Sequence, residues 1–257
     1  MIFDTHAHYD DKKFDDDRLE LLHHLPTQGV DRIVNQGTNL ETSRQSLLLA
    51  EKYNYIYAAV GVHPECLDTV QDDTLEQIAI LAQHPKAVAI GEIGLDYYYE
   101  DIPKNLQQSV FESQLALSKE LNMPITVHDR EAHGDTLALL KKYKPKGIVH
   151  CFSGSVEMAR EIIKLGMYIG IGGVITFKNA RKTVEVVQDI PLERLVLETD
   201  APYLAPVPFR GKRCDSSMIR YTAQTIADIL NRPIEDILRI TRQNAFAVYE
   251  ITEENSL

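Results

Sequence analysis

The chain has 257 residues, of which 44% are hydrophobic and 25% are charged, and its formal net charge is −11. This length suits one α/β barrel, which typically needs about 250 residues. The acidic total argues against a protein that coats nucleic acid by broad electrostatic attraction. It leaves open an enzyme that binds a few phosphates locally, because carboxylate metal ligands add negative charge that bound divalent cations offset.

The sequence shows no sign of export or membrane insertion. No apolar run approaches the roughly 20 residues of a membrane helix, and no basic start with an apolar stretch marks a signal peptide. The three cysteines, Cys66, Cys151 and Cys214, are an odd and sparse set, which predicts no disulfide framework and favours a reducing cytoplasm. No linker-like tract interrupts the chain, so we expect a single domain over residues 1–257 in the cytoplasm.

Short apolar, β-branched runs alternate with longer segments of helical apolar spacing. In chain order, the runs predict eight strands: Ile2–His8, Arg32–Thr38, Ile56–His63, Ala87–Asp96, Pro124–Arg130, Gly147–Phe152, Tyr168–Gly173 and Leu195–Asp200. The helical segments include Asn105–Leu121, Val156–Leu165, Ser217–Leu230 and Ile234–Val248. Eight βα units predict an α/β fold, a closed TIM (β/α)8 barrel. An open doubly wound sheet is the alternative, which a strand count alone does not exclude.

Polar residues gather near the carboxyl ends of six predicted strands. Residues two apart in a strand share a face, and this spacing groups Asp4 with His6 and His8, Glu92 with Asp96, His128 with Arg130, and Glu198 with Asp200, besides His63 and His150. In a barrel, active sites form at this end. Because buried ionisable groups are costly unless paired or metal-bound, the cluster predicts a cation site.

Taken singly, each of these signals has an ordinary structural explanation. A His-X-His pair is usually a surface or cap feature, and a histidine before proline, such as His63, usually lies in a loop. Asp200 before Ala-Pro could cap a turn, and His128 and His150 could be packed core residues. A metal site explains all of them together, at matching ends of successive strands, and we favour it for that reason.

Six segments carry these residues: Asp4-Thr5-His6-Ala7-His8, Gly61-Val62-His63-Pro64, Gly91-Glu92-Ile93-Gly94-Leu95-Asp96, Val127-His128-Asp129-Arg130, His150-Cys151-Phe152-Ser153-Gly154 and Leu197-Glu198-Thr199-Asp200-Ala201-Pro202. As an ordered set they resemble the TatD family of metal-dependent deoxyribonucleases, which belongs to the amidohydrolase-like metallohydrolases. The resemblance covers essentially the whole chain. It implies a TIM barrel with a divalent-metal centre that hydrolyses phosphodiester bonds of DNA, as a 3′–5′ exonuclease on single-stranded or frayed ends.

Position by position, the resemblance implies six metal ligands: His6, His8, Glu92, His128, His150 and Asp200. It places four further residues near the substrate: His63, Arg130, Glu198 and Tyr203. After the last motif the family often reads Arg-Gly-Lys-(Arg/Asn)-Asn-Glu-Pro. This chain keeps the basic half but has Cys214-Asp215-Ser216 instead of Asn-Glu-Pro, a departure that bears on the geometry of the loop and on substrate choice.

Six ligands are too many for one tetrahedral ion and suit two divalent ions, Zn²⁺, Mn²⁺ or Mg²⁺, about 3.5–4 Å apart. We expect two ligand groups with Glu92 as a bridge: His6, His8 and Asp200 for one ion, and His128 and His150 for the other. Hydroxide formed between the ions is expected to attack phosphorus while Asp200 takes the proton. Asp4 is expected to orient an imidazole.

Candidate phosphate donors surround this site. Arg130 can offer a bidentate guanidinium, and His63 is a second candidate that, like Arg130, we expect to act in catalysis. Arg210, Lys212 and Arg213 form the one dense basic run near the predicted mouth, although a solvated loop explains that run equally well. The three tyrosines at 97–99 could stack the bases of a single strand or pack a loop onto a helix.

Two other classes of protein remain as alternatives. A metal-dependent amidohydrolase or lactonase would act on a small cyclic amide or ester, and related barrels often bridge their metals with a carboxylated lysine from strand four. Here that strand offers Glu92 and no lysine follows before Lys104, which favours a phosphodiesterase. A non-enzymatic metal protein fits less well, since structural zinc sites are typically thiolate-rich. We expect DNA as the partner, no membrane, and a monomer or weak oligomer.

Overall fold

A computed structural model describes residues 1–99 and 101–252. Eight parallel strands form one sheet whose spatial order is the order of the chain. They are β1 (Ile2–Ala7), β2 (Val30–Gln36), β3 (Ile56–Val60), β4 (Ala87–Asp96), β5 (Ile125–Arg130), β6 (Gly147–Val149), β7 (Tyr168–Ile171) and β8 (Leu195–Leu197). A parallel bridge between Ala7 and Ala201 brings the first strand beside the end of the last. The prediction of a barrel is confirmed, and the open sheet is wrong.

Helices connect the strands on the outside of the barrel. Over the described part of the chain they are α1 (Arg18–His24), α2 (Leu40–Lys52), α3 (Thr74–Leu81), α4 (Lys104–Leu121), α5 (His133–Tyr143), α6 (Val156–Lys164), α7 (Arg181–Asp189), α8 (Ile219–Leu230) and α9 (Ile234–Tyr249). The four helices expected from the sequence are present within two residues at each end. Among these helices, none combines the length and the apolar character needed to span a bilayer.

The amino-terminal end of the barrel is closed by α9. The ring of Phe3 on β1 packs edge-on against Phe246, with ring centroids 5.1 Å apart, and lies 6.1 Å from the ring of Tyr249. These aromatic residues belong to an apolar cluster that also contains Val34, Ile148 and Val196 from the strands. With this end sealed, polar side chains reach solvent from the interior at the carboxyl end of the strands.

Six of the eight strands end earlier than the sequence predicts: β1 by one residue, β2 and β7 by two, and β3, β6 and β8 by three. The strands β6, β7 and β8 stop at Val149, Ile171 and Leu197, so His150, Glu198 and Asp200 lie just beyond them. Left-handed backbone follows two of these ends, with φ of 42° at Cys151 and 61° at Asp200. An extended strand does not continue through such a conformation, and the polar residues therefore project from the first turns of loops.

Candidate metal centre

Glu92 lies at the centre of the barrel mouth, 3% exposed, with imidazoles facing both of its carboxylate oxygens. Its Oε2 is 3.3 Å from His6 Nε2 and 3.5 Å from His8 Nε2. Its Oε1 is 2.9 Å from both His128 Nδ1 and His150 Nε2. One carboxylate thus faces a pair of imidazoles at each oxygen, with His63 Nε2 also 3.5 Å from Oε1, which is an arrangement suited to a bridging ligand.

Asp200 adds a carboxylate to the first of these pairs. Its Oδ1 lies 3.4 Å from His8 Nε2 and 3.7 Å from His6 Nε2. The N–H of Asp200 donates to the carbonyl oxygen of His6 at 2.9 Å, which ties the end of β8 to β1. The left-handed bend at Asp200 directs its carboxylate to this pair, and aspartate is among the residues that tolerate such a backbone.

The two imidazoles of the first pair are supported unequally. His8 Nδ1 lies 3.2 Å from the main-chain oxygen of Gln36 on β2, which suits an N–H donated to that carbonyl. His6 Nδ1 is buried and has no hydrogen-bond partner among the described residues. The His6 ring instead stacks on His150, with centroids 3.8 Å apart and planes 10° apart. Packing therefore fixes His6 where a hydrogen bond fixes His8.

Two buried acids lie next to the second pair, and one of them is within hydrogen-bond distance. His128 Nε2 lies 2.9 Å from Asp96 Oδ2, a hydrogen-bond distance. His150 Nδ1 lies 3.7 Å from Glu198 Oε1, longer than a hydrogen bond. Asp96 shares the face of Glu92 on β4, so period-two spacing was a signal for its proximity, but the sequence did not indicate what it would contact.

Burial by itself would raise the pKa of Glu92, as for any carboxyl removed from water. The positive charge of neighbouring imidazoles, that of His150 first, and a hydrogen bond from His128 outweigh that effect and hold the pKa of Glu92 well below its usual range. Glu92 is therefore a carboxylate at neutral pH, which is the form that binds a cation.

Burial opposes positive charge on His8 and His128, yet both have a raised pKa. A hydrogen bond to Asp200 and the charge of Glu92 raise the pKa of His8 to about 9. Hydrogen bonds to Asp96 and Glu92 raise the pKa of His128 to about 9. The cluster attracts positive charge, and a divalent cation competes with protons for the same nitrogens.

The donor atoms fit divalent cations. Imidazole nitrogen and carboxylate oxygen together suit Zn²⁺, Mn²⁺ and similar ions. Ligand atoms within 4.8 Å of one another occur in three triads of the described residues: His6, His8 and Glu92; His6, His150 and Glu198; and His63, Glu92 and His128. All six ligands that the resemblance implies are brought together here, and His63 and Glu198 stand next to them.

A cleft of about 1220 Å³ opens over this cluster, and three of the expected substrate residues line it: His63, Arg130 and Tyr203. The side chain of Arg130 is 43% exposed, and its guanidinium carbon lies 3.7 Å from the centroid of the Tyr98 ring. The Tyr203 hydroxyl donates to Asp11 at 2.7 Å. Arg130 therefore has donors available for a phosphate, while the hydroxyl of Tyr203 is engaged.

Other expected substrate residues lie elsewhere. Glu198 is 1% exposed beneath His150, where its Oε1 accepts the N–H of Cys151, and it does not line the cleft. Arg210 and Lys212 are exposed on the loop after β8, outside the lining of the cleft. Their neighbour Arg213 forms a bidentate ion pair with Asp17. The basic run thus fits a solvated, partly ion-paired loop better than a phosphate site.

The expectation that Asp4 orients an imidazole is wrong. Its carboxylate accepts hydrogen bonds from the hydroxyls of Thr199 and Ser216, at 2.6 and 2.7 Å, and from the main-chain N–H of His6. A register shift between Asp4 and Ala7 interrupts the regular pairing of β1, so simple alternation does not place Asp4 with the histidines. Asp4 holds the backbone of the His6 segment instead of an imidazole ring.

The segment that departs from the family pattern packs against β1. Besides donating to Asp4, the Ser216 hydroxyl lies 2.7 Å from the hydroxyl of buried Tyr9. Asp215 accepts the N–H of Ser217 at 2.9 Å, and Cys214 is fully buried. All three cysteines are free thiols, as the sequence predicts. The segment Cys214-Asp215-Ser216 therefore anchors its loop to β1 and does not include any of the candidate ligands.

A family model described as TatD related DNase matches residues 3–250. The chain belongs to this family. An uncharacterized metal-dependent hydrolase of Bacillus subtilis, YabD, is 44% identical over 255 residues, which cover 98% of this chain and all of that protein. The resemblance in the motifs is confirmed, and the chain belongs among metal-dependent hydrolases.

Two further TatD-family proteins are informative. The protein named 3′-5′ ssDNA/RNA exonuclease TatD, from Citrobacter koseri, is 37% identical over 209 residues, 80% of each protein. The crystal structure of YjjV, a TatD homologue from Escherichia coli K12, matches with a TM-score of 0.92 and 33% identity over 98% of both chains. Fold and sequence therefore agree along nearly the whole length.

Proposed function

We propose that this chain is a nuclease that uses two divalent ions to hydrolyse phosphodiester bonds of DNA, from the 3′ end of single-stranded or frayed substrates. The observation that carries the proposal is Glu92, with a pair of imidazoles at each carboxylate oxygen and the exposed guanidinium of Arg130 in the same cleft. The related exonuclease of Citrobacter koseri supports nucleic acid as the substrate.

We assign His6, His8 and Asp200 to one ion and His128 and His150 to the other, with Glu92 shared. The closeness of Asp200 to His6 and His8, and of Glu92 Oε1 to His128 and His150, supports this division. When bound, such ions supply Lewis acidity and make a bound water easier to deprotonate. The side chain of Asp200 is 20% exposed, so its carboxylate reaches the cleft and can accept the proton of the attacking water.

Arg130 and His63 supply hydrogen-bond donors on the side of Glu92 away from His6, His8 and Asp200. Burial lowers the pKa of His63, so its ring is neutral. Its Nδ1 accepts the N–H of Glu65 at 3.1 Å, which leaves the ring proton on Nε2, 3.5 Å from Glu92 Oε1. From there it can be donated to a phosphate oxygen, while Arg130 offers a fork of N–H groups to the same group.

The proposal is tested with metal-reconstituted enzyme and single- and double-stranded DNA and RNA labelled at the 5′ or the 3′ end. We expect shortening from the 3′ end of single-stranded DNA, loss of activity with a chelator, and recovery with Zn²⁺ or Mn²⁺. Hydrolysis of a lactone or hydantoin, with every phosphodiester left intact, would overturn the proposal in favour of an amidohydrolase.

Glu92→Gln provides the matched test of the bridging carboxylate. The substitution keeps the shape of the side chain and removes the charge that two cations need, so we expect hydrolysis to fall by about a hundredfold or more. Glu112→Gln is the control, because Glu112 lies on α4 and pairs with Lys142 far from the cleft. Full activity in Glu92→Gln, or an equal loss in both variants, would contradict the two-ion arrangement.

A further inference from the structure

Asp96 is an acid at the end of β4 for which the proposed reaction has no use. It is 1% exposed. Its main-chain N–H donates to Gln107 Oε1 at 2.8 Å, and its carbonyl accepts from Gln107 Nε2 at 2.7 Å. Its Oδ1 accepts the N–H of Tyr98 at 2.9 Å. Gln107 on helix α4 therefore fixes the backbone of Asp96, and the loop after β4 fixes its carboxylate through the N–H of Tyr98.

The other carboxylate oxygen of Asp96 faces His128. The distance from Oδ2 to His128 Nε2 is 2.9 Å, while His128 Nδ1 lies 2.9 Å from Glu92 and 3.3 Å from His150 Nε2. A carboxylate at Nε2 keeps a proton on that nitrogen and leaves the lone pair of Nδ1 directed at the centre. It also makes the imidazole a more basic ligand.

None of the other three candidate imidazoles has such a partner. His8 faces a main-chain carbonyl, His6 Nδ1 has no partner in the part of the chain described, and His150 Nδ1 is 3.7 Å from Glu198. His128 is also the least buried of the four, with 17% of its side chain exposed. It is therefore the imidazole that most needs a hydrogen bond to hold its ring in place.

The same acid reaches the phosphate-binding side of the cleft. Its Oδ2 lies 3.9 Å from a terminal nitrogen of Arg130. Its Oδ1 holds the main chain of Tyr98, and the guanidinium stacks on the ring of that tyrosine. A substitution of Asp96 would therefore affect Arg130 in two ways: it would remove a nearby negative charge, and it would release the main chain of Tyr98, on whose ring the guanidinium stacks.

We propose that Asp96 is a positioning residue that holds His128 with Nδ1 free for the second ion and keeps Arg130 in place over Tyr98. The inference rests on the proposed two-ion function. It adds that the second ion depends on a hydrogen bond from its ligand His128 to a side-chain carboxylate on a neighbouring strand, whereas His8, a ligand of the first ion, bonds to a main-chain carbonyl.

Metal titration of the apoprotein with Asp96→Asn tests the inference. We expect the second ion to bind about 10- to 100-fold more weakly, while the first ion, held by His6, His8 and Asp200, binds as in the wild type. The matched control is Asp129→Asn, since Asp129 bonds to His133 at 2.8 Å in a similar pair outside the candidate ligand set. Unchanged affinity for the second ion in Asp96→Asn, or the same loss in the control, would overturn the inference.

A second measurement needs no variant and decides the matter if Asp96→Asn does not fold. In the Zn²⁺-loaded wild type, ¹⁵N NMR should place a proton on Nε2 of His128 and show Nδ1 as the metal-bound nitrogen. Metal on Nε2 would exclude the arrangement.

In steady-state kinetics, Asp96→Asn should lower kcat through His128 and raise KM through Arg130. A change in thermal stability alone would contradict the inference.

The two proposals fail separately. A wild-type protein that binds no metal and cleaves no phosphodiester would remove the proposed function, and the inference with it. A wild-type nuclease that loses activity in Glu92→Gln but keeps both ions and full turnover in Asp96→Asn would remove the inference alone.

Discussion

Glu198 occupies space that any side chain at residue 170 would need. It lies under His150, and one of its oxygens accepts the N–H of Cys151, so the carboxylate has little freedom to move. The resemblance implies a residue near the substrate, and the structure places it behind a candidate ligand. We therefore propose that Glu198 holds the backbone at Cys151, next to His150, and does not contact the substrate.

Gly170→Ala is the substitution that tests this packing. A Cβ at Gly170 would lie 2.4 Å from Glu198 Oε2 and 2.9 Å from its Cδ, so the buried carboxylate must shift. We expect the free energy of unfolding to fall by about 1–3 kcal/mol, the usual cost of an overpacked interior. Urea unfolding measures it.

Gly172→Ala is the control for this prediction. There the nearest atom to an added Cβ is Glu198 Cγ at 3.6 Å, which is ordinary contact. Similar losses of stability at both glycines would show that backbone effects dominate and that the position of Glu198 is not tightly constrained.

At the scale of the elements, α2 begins at a capping box that also shapes the cleft. Asn39 accepts the N–H of Thr42 at 2.9 Å, and the Thr42 hydroxyl accepts the N–H of Asn39 at 3.0 Å. The same hydroxyl accepts the N–H of Thr38 at 2.8 Å, and both threonines line the cleft. The cap thus joins the end of β2 to its helix beside the candidate metal centre.

Asn39→Ala should cost about 1 kcal/mol of folding free energy, the usual value for a lost helix cap. Asp73→Ala is the comparison, because Asp73 precedes α3 without a side-chain hydrogen bond to the backbone of that helix. We expect a smaller loss there. Chemical denaturation of both variants gives the difference, and an equal or larger loss at Asp73 would contradict the assignment of the cap.

For the whole molecule, the acidic charge and the buried carboxylates make metal binding a source of stability. Ions that bind the folded chain alone stabilise it by about 2.7 kcal/mol at a concentration 100 times Kd. For a chain of this size, such a gain raises Tm by roughly 5–10 °C. The net charge of −11 also favours the binding of cations.

We therefore expect calorimetric Tm to fall on treatment with a chelator and to recover with Zn²⁺ or Mn²⁺. The recovery should be much smaller in Glu92→Gln, which lacks the shared carboxylate, and unchanged in Glu112→Gln. If the Tm of the wild type did not change when metal was removed or added, the cluster would not bind divalent ions in the folded protein.

The sequence alone was sufficient for the barrel and for the candidate ligand residues that the structure brings together at its mouth. Repeated βα units and period-two alternation are local signals, and they placed Glu92, His128 and His150 at strand ends before any contact was known. Local signals also placed the ends of six strands too late. For β6 and β8 the reason is the left-handed backbone at Cys151 and Asp200, which depends on what those residues contact.

The tertiary structure decided which atoms face one another. The sequence predicted that Glu92 is shared, but only the fold shows an imidazole pair at each of its oxygens and Asp96 behind His128. It also turned Asp4 away from the imidazoles and paired Arg213 with Asp17, 196 residues away along the chain. Such contacts join distant segments, and neither residue type nor spacing along the chain determines them.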